Sequence, residues 1–466
     1  MKSETKIAPD AIYALAFGLF LGLCIWKFGN PVILDHNITA PATLADCLSN
    51  AWPIRWANWI LLPLATWGAW LVLQSKISWP QSKWLLLLPL GWLGWQFVSA
   101  TQSVDADLTA ATLWQFSGCV ACYFLGALLF TRENLSRWLL IGVLAAFTFC
   151  LVRAVNQHLF EFPQNRQMLV EGERTGWTNF PPETVAEMKN ENIIITTNGA
   201  DMANPVFLDK FKKARVYGTL VYSNALAGLI LLLLPVSLAL AFGATKNLKP
   251  RIRLAAIALT IILGSVAFFW TGSKLGWLIG IGLPGLFLLR LHWSKKLKLA
   301  AVATVLILGV GIFAVRFHNY FAAGATSVGA RFDYWRAAAQ TTVAKPVFGT
   351  GPGTFQRPYA QLKSPESEMA RLTHNDYLEQ FSDSGLIGGA AYGIWIFLAL
   401  ATAGKNLWRA GNAVSFAVFA GLLGWFVQGF GEFSLYVPAL AWTAFTLLGV
   451  SVAEKRIGFD KKSLKR

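Results

Sequence analysis

Residues 216–253 read VYGTLVYSNALAGLILLLLPVSLALAFGATKNLKPRIR. An apolar run extends to about residue 243, longer than the roughly 20 residues that a bilayer core requires. Lys246, Lys249, Arg251 and Arg253 follow at once, and a second apolar run opens at 254. An apolar stretch closed by a short basic loop reads as a membrane helix ending on the cytoplasmic side.

Working outward from this stretch, comparable runs lie near 11–26, 56–73, 84–101, 111–131 and 138–156 ahead of it, and 254–270, 276–289, 299–316, 386–403, 412–430 and 436–453 after it. The expected fold is therefore all-α, a polytopic membrane bundle of about 12 transmembrane helices. Composition agrees. The 466 residues are 55% hydrophobic and 14% charged, against about 25% charged in soluble domains. This excludes a soluble enzyme, a disordered chain and a nucleic-acid-binding domain, so the net charge of +16 is a question of topology.

With the N-terminus in the cytoplasm, the inside pieces are 1–10, 74–83, 132–137, 244–253, 290–298, 404–411 and 454–466. They hold 22 Lys/Arg and 5 Asp/Glu, and the rest of the chain holds 18 and 19. The whole basic excess falls on one side, as the positive-inside rule expects, and both termini are expected in the cytoplasm. Lys2 and Lys6 precede the first run with no Ala-x-Ala cleavage signal behind it, which reads as an uncleaved signal anchor. The chain divides into five spans (1–156), a long outside loop (157–215), four spans (216–316), a second long outside loop (317–385), and three spans with a basic tail (386–466). Both loops mix aromatic and aliphatic residues, so they are expected to fold, partly as helix, over the membrane surface and to carry the chemistry. Cys119-x-x-Cys122 has a metal-like spacing, but it runs along one span with no second ligand pair; helix packing is the expectation.

The second loop is the more informative. Residues 331–344 space Phe332, Trp335, Ala338/Ala339 and Val343 as a helix does. That suits an interfacial helix with Trp335 in the aromatic belt and Arg331 and Arg336 reaching into water, or a ligand site at Arg331. Gly349, Gly351 and Gly353 alternate around Pro352, either as a turn or as a backbone cradle for an anion. Thr373 and Asp376 read as an N-cap and its N3 partner, with His374 the first helical residue and Gly385 the helix end. A helix N-terminus favours the neutral imidazole, which can accept a hydroxyl proton; a lone histidine can equally be structural. Lys274 sits in a very short outside turn, costly so near the hydrocarbon unless it is paired, functional or snorkelling. Arg215, Lys274, Arg331, Arg336 and Arg371 share the outside face. Together they could neutralise a diphosphate, whose oxygens match an arginine fork.

Several pieces resemble, in order, the O-antigen ligase and O-antigen polymerase family of bacterial inner-membrane proteins. They are Arg215-x-x-Gly218 with Ser223-Asn224-x-Leu226-Ala227; Ser273-Lys274-x-Gly276; Arg331 through Phe355 with Trp335, Pro346 and the glycines; and His374-Asn375-Asp376-Tyr377-Leu378 through Gly385-Leu-Ile-Gly388. Glu432-Phe-Ser-Leu435 with Pro438 resembles the family's acidic segment before the last span. The resemblance covers about 215–440; the first 200 residues match in hydropathy only. Lys274 stands where the family usually has Arg, and Glu432 where Asp is expected.

The resemblance implies a glycosyltransferase. It would move a glycan from an undecaprenyl-diphosphate-linked donor to a hydroxyl of lipid A-core, a growing glycan or a protein, at the periplasmic face, with no nucleotide, metal or other cofactor. It implies His374 as the base, with Asn375 holding its geometry, and Arg215, Lys274 and Arg331 on the diphosphate. Asn224, Trp335, Arg336 and Glu432 are expected to bind or support substrate. The competing class is a transporter or exporter; the spans show no mid-span charge relay of the kind transporters use. Polymerase and ligase both remain open, with the Gly-Pro-Gly and His-Asn-Asp-Tyr-Leu segments leaning toward polymerase.

Overall fold

A hydrocarbon slab offers the backbone no hydrogen-bond partner, so apolar stretches crossing it must satisfy their own N–H and C=O groups as helices. The computed structural model describes residues 9–74, 82–130, 133–197, 199–244, 248–409 and 413–453. Lys2, Lys6, Lys246 and the basic tail lie outside the described residues. The helices are α1 Pro9–Lys27, α2 Leu44–Ser49, α3 Ile54–Gln74, α4 Trp84–Ala100, α5 Ala106–Leu128, α6 Glu133–Asn156, α7 Phe162–Arg174, α8 Pro182–Asn190 and α9 Pro205–Lys213. They continue as α10 Ser223–Ala244, α11 Pro250–Thr271, α12 Lys274–Leu289, α13 Lys295–Ala322, α14 Thr326–Ala344, α15 Gln356–Leu362, α16 Asp376–Arg409, α17 Ala413–Gln428 and α18 Pro438–Val452.

Among the described residues, 8 helices are long and apolar enough to cross a membrane; α4, α12, α17 and α18 are shorter apolar helices at the places where the sequence sets the remaining spans. The chain is an integral membrane protein of bundled helices. Two boundaries differ from expectation. The span expected at 216 starts at Ser223, because residues 215–222 run as irregular chain and turn. The span expected at 386 is the second limb of α16, which begins ten residues earlier and is kinked at Ser384–Gly385.

Small residues let the helices close on one another, as membrane packing requires. A side chain at Gly142 of α6 would meet the backbone of Gly18 in α1, and one at Gly126 of α5 would meet the Thr446 carbonyl in α18. Cys119 and Cys122 are buried on α5, with Gly118 of the same helix against Trp442 of α18, in keeping with a packing role. By contrast, α13 buries only Phe313 and Phe317 and turns Ile307, Leu308, Ile312 and Val315 outward, as a lipid-facing helix does.

The first long loop folds as a small unit around Leu169, Trp177, Met188, Ile194 and Ala203. Strands β1 (Ile194–Thr197) and β2 (Ala200–Ala203) pair antiparallel within it, a short ribbon in a loop that is otherwise partly helical, as expected. In the second loop, α14 buries Tyr334, Ala337, Ala338 and Thr341. Phe332 and Val343, which the sequence puts on the same stripe, are 60% and 81% exposed. The helix is turned by its packing on α15 and α16 rather than by its most hydrophobic residues.

The glycine run is a turn. Gly349, Gly351 and Gly353 all take positive φ, and the turn closes on the chain's own Asp383: Gly351 N–H donates to its carbonyl at 2.8 Å and Gly353 N–H to its Oδ2 at 2.7 Å. At the kink, Gly385 adopts φ 68°, ψ −173°, a region open essentially to glycine alone. A Cβ there would also strike the Val347 carbonyl. Gly385→Ala is expected to cost more than the roughly 1–3 kcal/mol of backbone strain, and to lower the unfolding temperature of the detergent-solubilised protein by many degrees. An unchanged melting curve would contradict this reading of the kink.

Candidate functional site

At the end of the bundle that carries both long loops, a cavity of about 570 Å³ is lined by Arg215, Asn224, Lys274, Arg331, His374 and Glu432, together with Tyr334, Glu366 and Glu368. That volume falls within the usual range for small-ligand sites, about 300–1,000 Å³. The lining comes from five separate segments: the irregular entry to α10, the α11–α12 turn, α14, the loop before α16 and the α17–α18 connection.

Glu432 is the hub. Its side chain is 1% exposed. Oε1 accepts from Arg331 Nη2 at 2.6 Å and from Asn224 Nδ2 at 2.7 Å. Asn224 Oδ1 in turn accepts from Arg215 Nη2 at 2.8 Å, and Arg215 Nε is tied to the Thr271 carbonyl at 2.7 Å. The second oxygen, Oε2, lies 3.5 Å from His374 Nδ1, and neither atom has a hydrogen-bond partner among the described residues. One carboxylate thus fixes two guanidiniums through Oε1 and faces an imidazole through Oε2.

The chain around His374 explains how it is held. Asn375 Oδ1 accepts from the N–H groups of Tyr377 and Leu378 at 3.1 and 3.0 Å, so Asn375 is the N-cap of α16. This corrects the expectation that Thr373 caps and that His374 is helical. Thr373 is instead engaged by buried Glu379, whose Oε2 accepts its N–H at 2.9 Å and lies 2.9 Å from its Oγ1. His374 stands one residue before the cap at φ 52°, strained backbone of the sort that clusters at functional sites. Asp376 N–H donates to the carbonyls of Gly429 and Glu432 at 2.8 and 3.1 Å, and the Asp376 carboxylate accepts Leu435 N–H at 3.2 Å. These bonds fasten the start of α16 to the α17–α18 connection and fix His374 relative to Glu432. Phe433 packs edge-on to the imidazole, with ring centroids 4.7 Å apart.

Lys274 begins α12, in the turn just outside the apolar stretch 276–289. Its ammonium lies 3.7 Å from the Tyr320 ring centroid, and no carboxylate pairs with it among the described residues. Burial first, then the charges of Arg215, Arg331, Lys213 and Arg316, lower it to about 8. Burial also lowers the Arg215 guanidinium, against the pull of Glu432. If the lysine cation is needed, kcat/KM for an anionic substrate declines above pH about 8, as the lowered group loses its proton. Lys274→Arg should carry that limb beyond the accessible range; a pH profile identical in both proteins would remove Lys274 from the role.

Six of the sequence-assigned residues therefore meet: Arg215, Asn224, Lys274, Arg331, His374 and Glu432. Asn375 is adjacent but does not line the cavity. Trp335 and Arg336 do not line it either. Trp335 packs edge-on to Phe332, with centroids 5.5 Å apart, and Arg336 is bound to Asp333 at 2.5 Å and to the Leu362 carbonyl at 3.0 Å. Arg371 is likewise outside the lining. Tyr334 was not singled out by the sequence, although it lies one helical turn from Arg331; its ring centroid is 6.0 Å from that of His374. Glu366 and Glu368 carried no spacing signal at all.

A family model described as O-antigen ligase matches residues 259–393. Over this segment, somewhat more than a quarter of the chain, the protein is similar to the O-antigen ligase family. The segment contains Lys274, Arg331 and His374 and stops short of Arg215, Asn224 and Glu432, which complete the same cavity. A protein of Haemophilus influenzae described as uncharacterized is 32% identical over 175 residues, covering 32% of this chain and 43% of the relative. The chain thus matches less than half the length of that relative.

Proposed function

We propose that the protein transfers a glycan from an undecaprenyl-diphosphate-linked donor to an acceptor hydroxyl at the periplasmic membrane face. The observation that carries this reading is the cavity itself. It gathers three cations, an imidazole and a buried carboxylate from distant parts of the chain, beside apolar helices that suit a lipid-borne substrate. The similarity of residues 259–393 to the O-antigen ligase family supports it.

In this reading Arg215, Lys274 and Arg331 receive the diphosphate. The acceptor hydroxyl gives its proton to His374, and its oxygen attacks the anomeric carbon. The bond from that carbon to the phosphate oxygen breaks, and the electron pair leaves with undecaprenyl diphosphate. Charge developing on the leaving oxygen meets fixed cations in a site poor in water. As His374 takes the proton, Glu432 Oε2 faces the resulting imidazolium, while Asn375 and Glu379 hold the backbone that carries it.

The test is the binding of undecaprenyl diphosphate alone to protein in nanodiscs. Arg331→Lys keeps the charge and loses the fork, so affinity is expected to fall about tenfold. Equal affinity in wild type, Arg331→Lys and Arg215→Ala would remove the diphosphate from this cavity. With a glycan-bearing donor, a ladder of products identifies a polymerase, the branch favoured by the Gly-Pro-Gly segment, and a single addition identifies a ligase.

A further inference from the structure

We propose that Glu366, Ser367 and Glu368 form the acceptor subsite of this cavity, one that takes a neutral or amine-bearing terminal sugar and disfavours a carboxylated or phosphorylated one. The inference rests on the glycosyl-transfer reading and names the acceptor class for it.

Glu366 and Glu368 line the cavity on an exposed stretch of chain, and no cation pairs with either among the described residues. The segment is nevertheless held in place. Tyr359 Oη donates to Asp333 Oδ2 at 3.0 Å and is within 3.1 Å of the Glu368 carbonyl. Ser364 Oγ donates to Asp333 Oδ1 at 3.0 Å, and Lys363 Nζ donates to the Ser367 carbonyl at 2.9 Å. Burial opposes ionisation of Asp333, but hydrogen bonds from Arg336, Ser367, Ser364 and Tyr359 outweigh it and hold the carboxyl well below the usual range. The anchor is therefore ionised at neutral pH. This also gives Arg336 a purpose: it braces the wall rather than touching a ligand.

The same cavity is lined by Arg215, Lys274 and Arg331. The cavity is thus divided by charge. A diphosphate is drawn to Arg215, Lys274 and Arg331 and repelled by Glu366 and Glu368, which keeps the two substrates from exchanging places. Carboxylates accept hydrogen bonds from sugar hydroxyls and from ammonium groups. A second carboxylate approaching them meets like charge, a penalty on the order of tenfold in affinity for one partly screened contact.

The experiment uses the full chain in nanodiscs, one undecaprenyl-diphosphate glycan donor, and acceptors ending in a neutral hexose, an amino sugar or a uronic acid. Wild type is expected to show an acceptor KM at least about tenfold higher for the uronic acid. Glu366→Gln/Glu368→Gln should narrow the gap, and Glu366→Lys/Glu368→Lys should reverse it. Wild type using all three acceptors equally would overturn the proposal even if neither variant folds. So would an unchanged preference in folded variants. No transfer to any acceptor would instead overturn the glycosyl-transfer reading beneath it.

Discussion

Replacing His374 with alanine is expected to slow glycan transfer by about 10²–10⁴-fold, the usual contribution of a positioned general base, with little loss of stability. The reasoning is geometric. The imidazole lines the cavity, its Nδ1 faces the free oxygen of Glu432 at 3.5 Å, and bonds on both flanks hold its backbone at φ 52°. None of those flanking bonds uses the imidazole. Asn375, Asp376 and Glu379 make them, so the loop should keep its shape without the ring. Alanine at a left-handed position adds no branch at Cβ and is tolerated better than valine or isoleucine would be. Donor binding should be nearly unchanged while kcat falls. A loss confined to donor binding would make His374 a diphosphate contact and not a base.

Glu432→Gln is expected to be the second severe change, also on the order of 10²-fold or more in kcat. Glutamine can still accept from Arg331 and Asn224 through its carbonyl oxygen, so much of the hydrogen bonding survives. What it loses is the charge facing His374, which orients the ring and would stabilise the imidazolium. It also leaves Arg331 without its ion-pair partner, and removing one member of a buried pair is costly, about 3–5 kcal/mol in the general case. Arg331 is 19% exposed as a side chain, so the cost here should lie below that range. The two roles separate by measurement. Glu432→Gln combined with His374→Ala should be no slower than His374→Ala alone if the carboxylate acts through the histidine. Additive losses would show that Glu432 acts mainly by holding Arg331 and, through Asn224, Arg215.

Much of this was legible in the sequence, and for physical reasons. A membrane span must be about 20 apolar residues long, so length and hydropathy alone located the helices. Charges beside a bilayer are expensive enough to be noticed one at a time, which is how Lys274, Arg215 and Arg331 stood out.

The rest depended on closure in three dimensions. Glu432 looked like a minor piece because its partners Arg331 and Asn224 lie 101 and 208 residues away. The cap was misplaced because both Thr373 and Asn375 are good N-cap residues. The choice was made by Glu379, a buried side chain that draws Thr373 off. Arg336 was grouped with Arg331 by charge, yet five residues on a helix turn it to another face, where Asp333 binds it. The apolar stripe of 331–344 misled in the same way. At a membrane surface, exposed apolar residues such as Phe332 and Val343 are allowed to face outward, so hydrophobicity does not mark the packed side. The ribbon at 194–203 is too short to leave a period in the sequence.

The most direct test of the central claim is the release of undecaprenyl diphosphate from an undecaprenyl-diphosphate glycan by purified protein in nanodiscs, with acceptor present, in wild type and His374→Ala. Release that accompanies glycan transfer in wild type and falls by about 10²–10⁴-fold in the variant is the result expected of a lipid-linked glycosyltransferase acting through His374. Equal release by both proteins, or none by wild type with any acceptor, would contradict it.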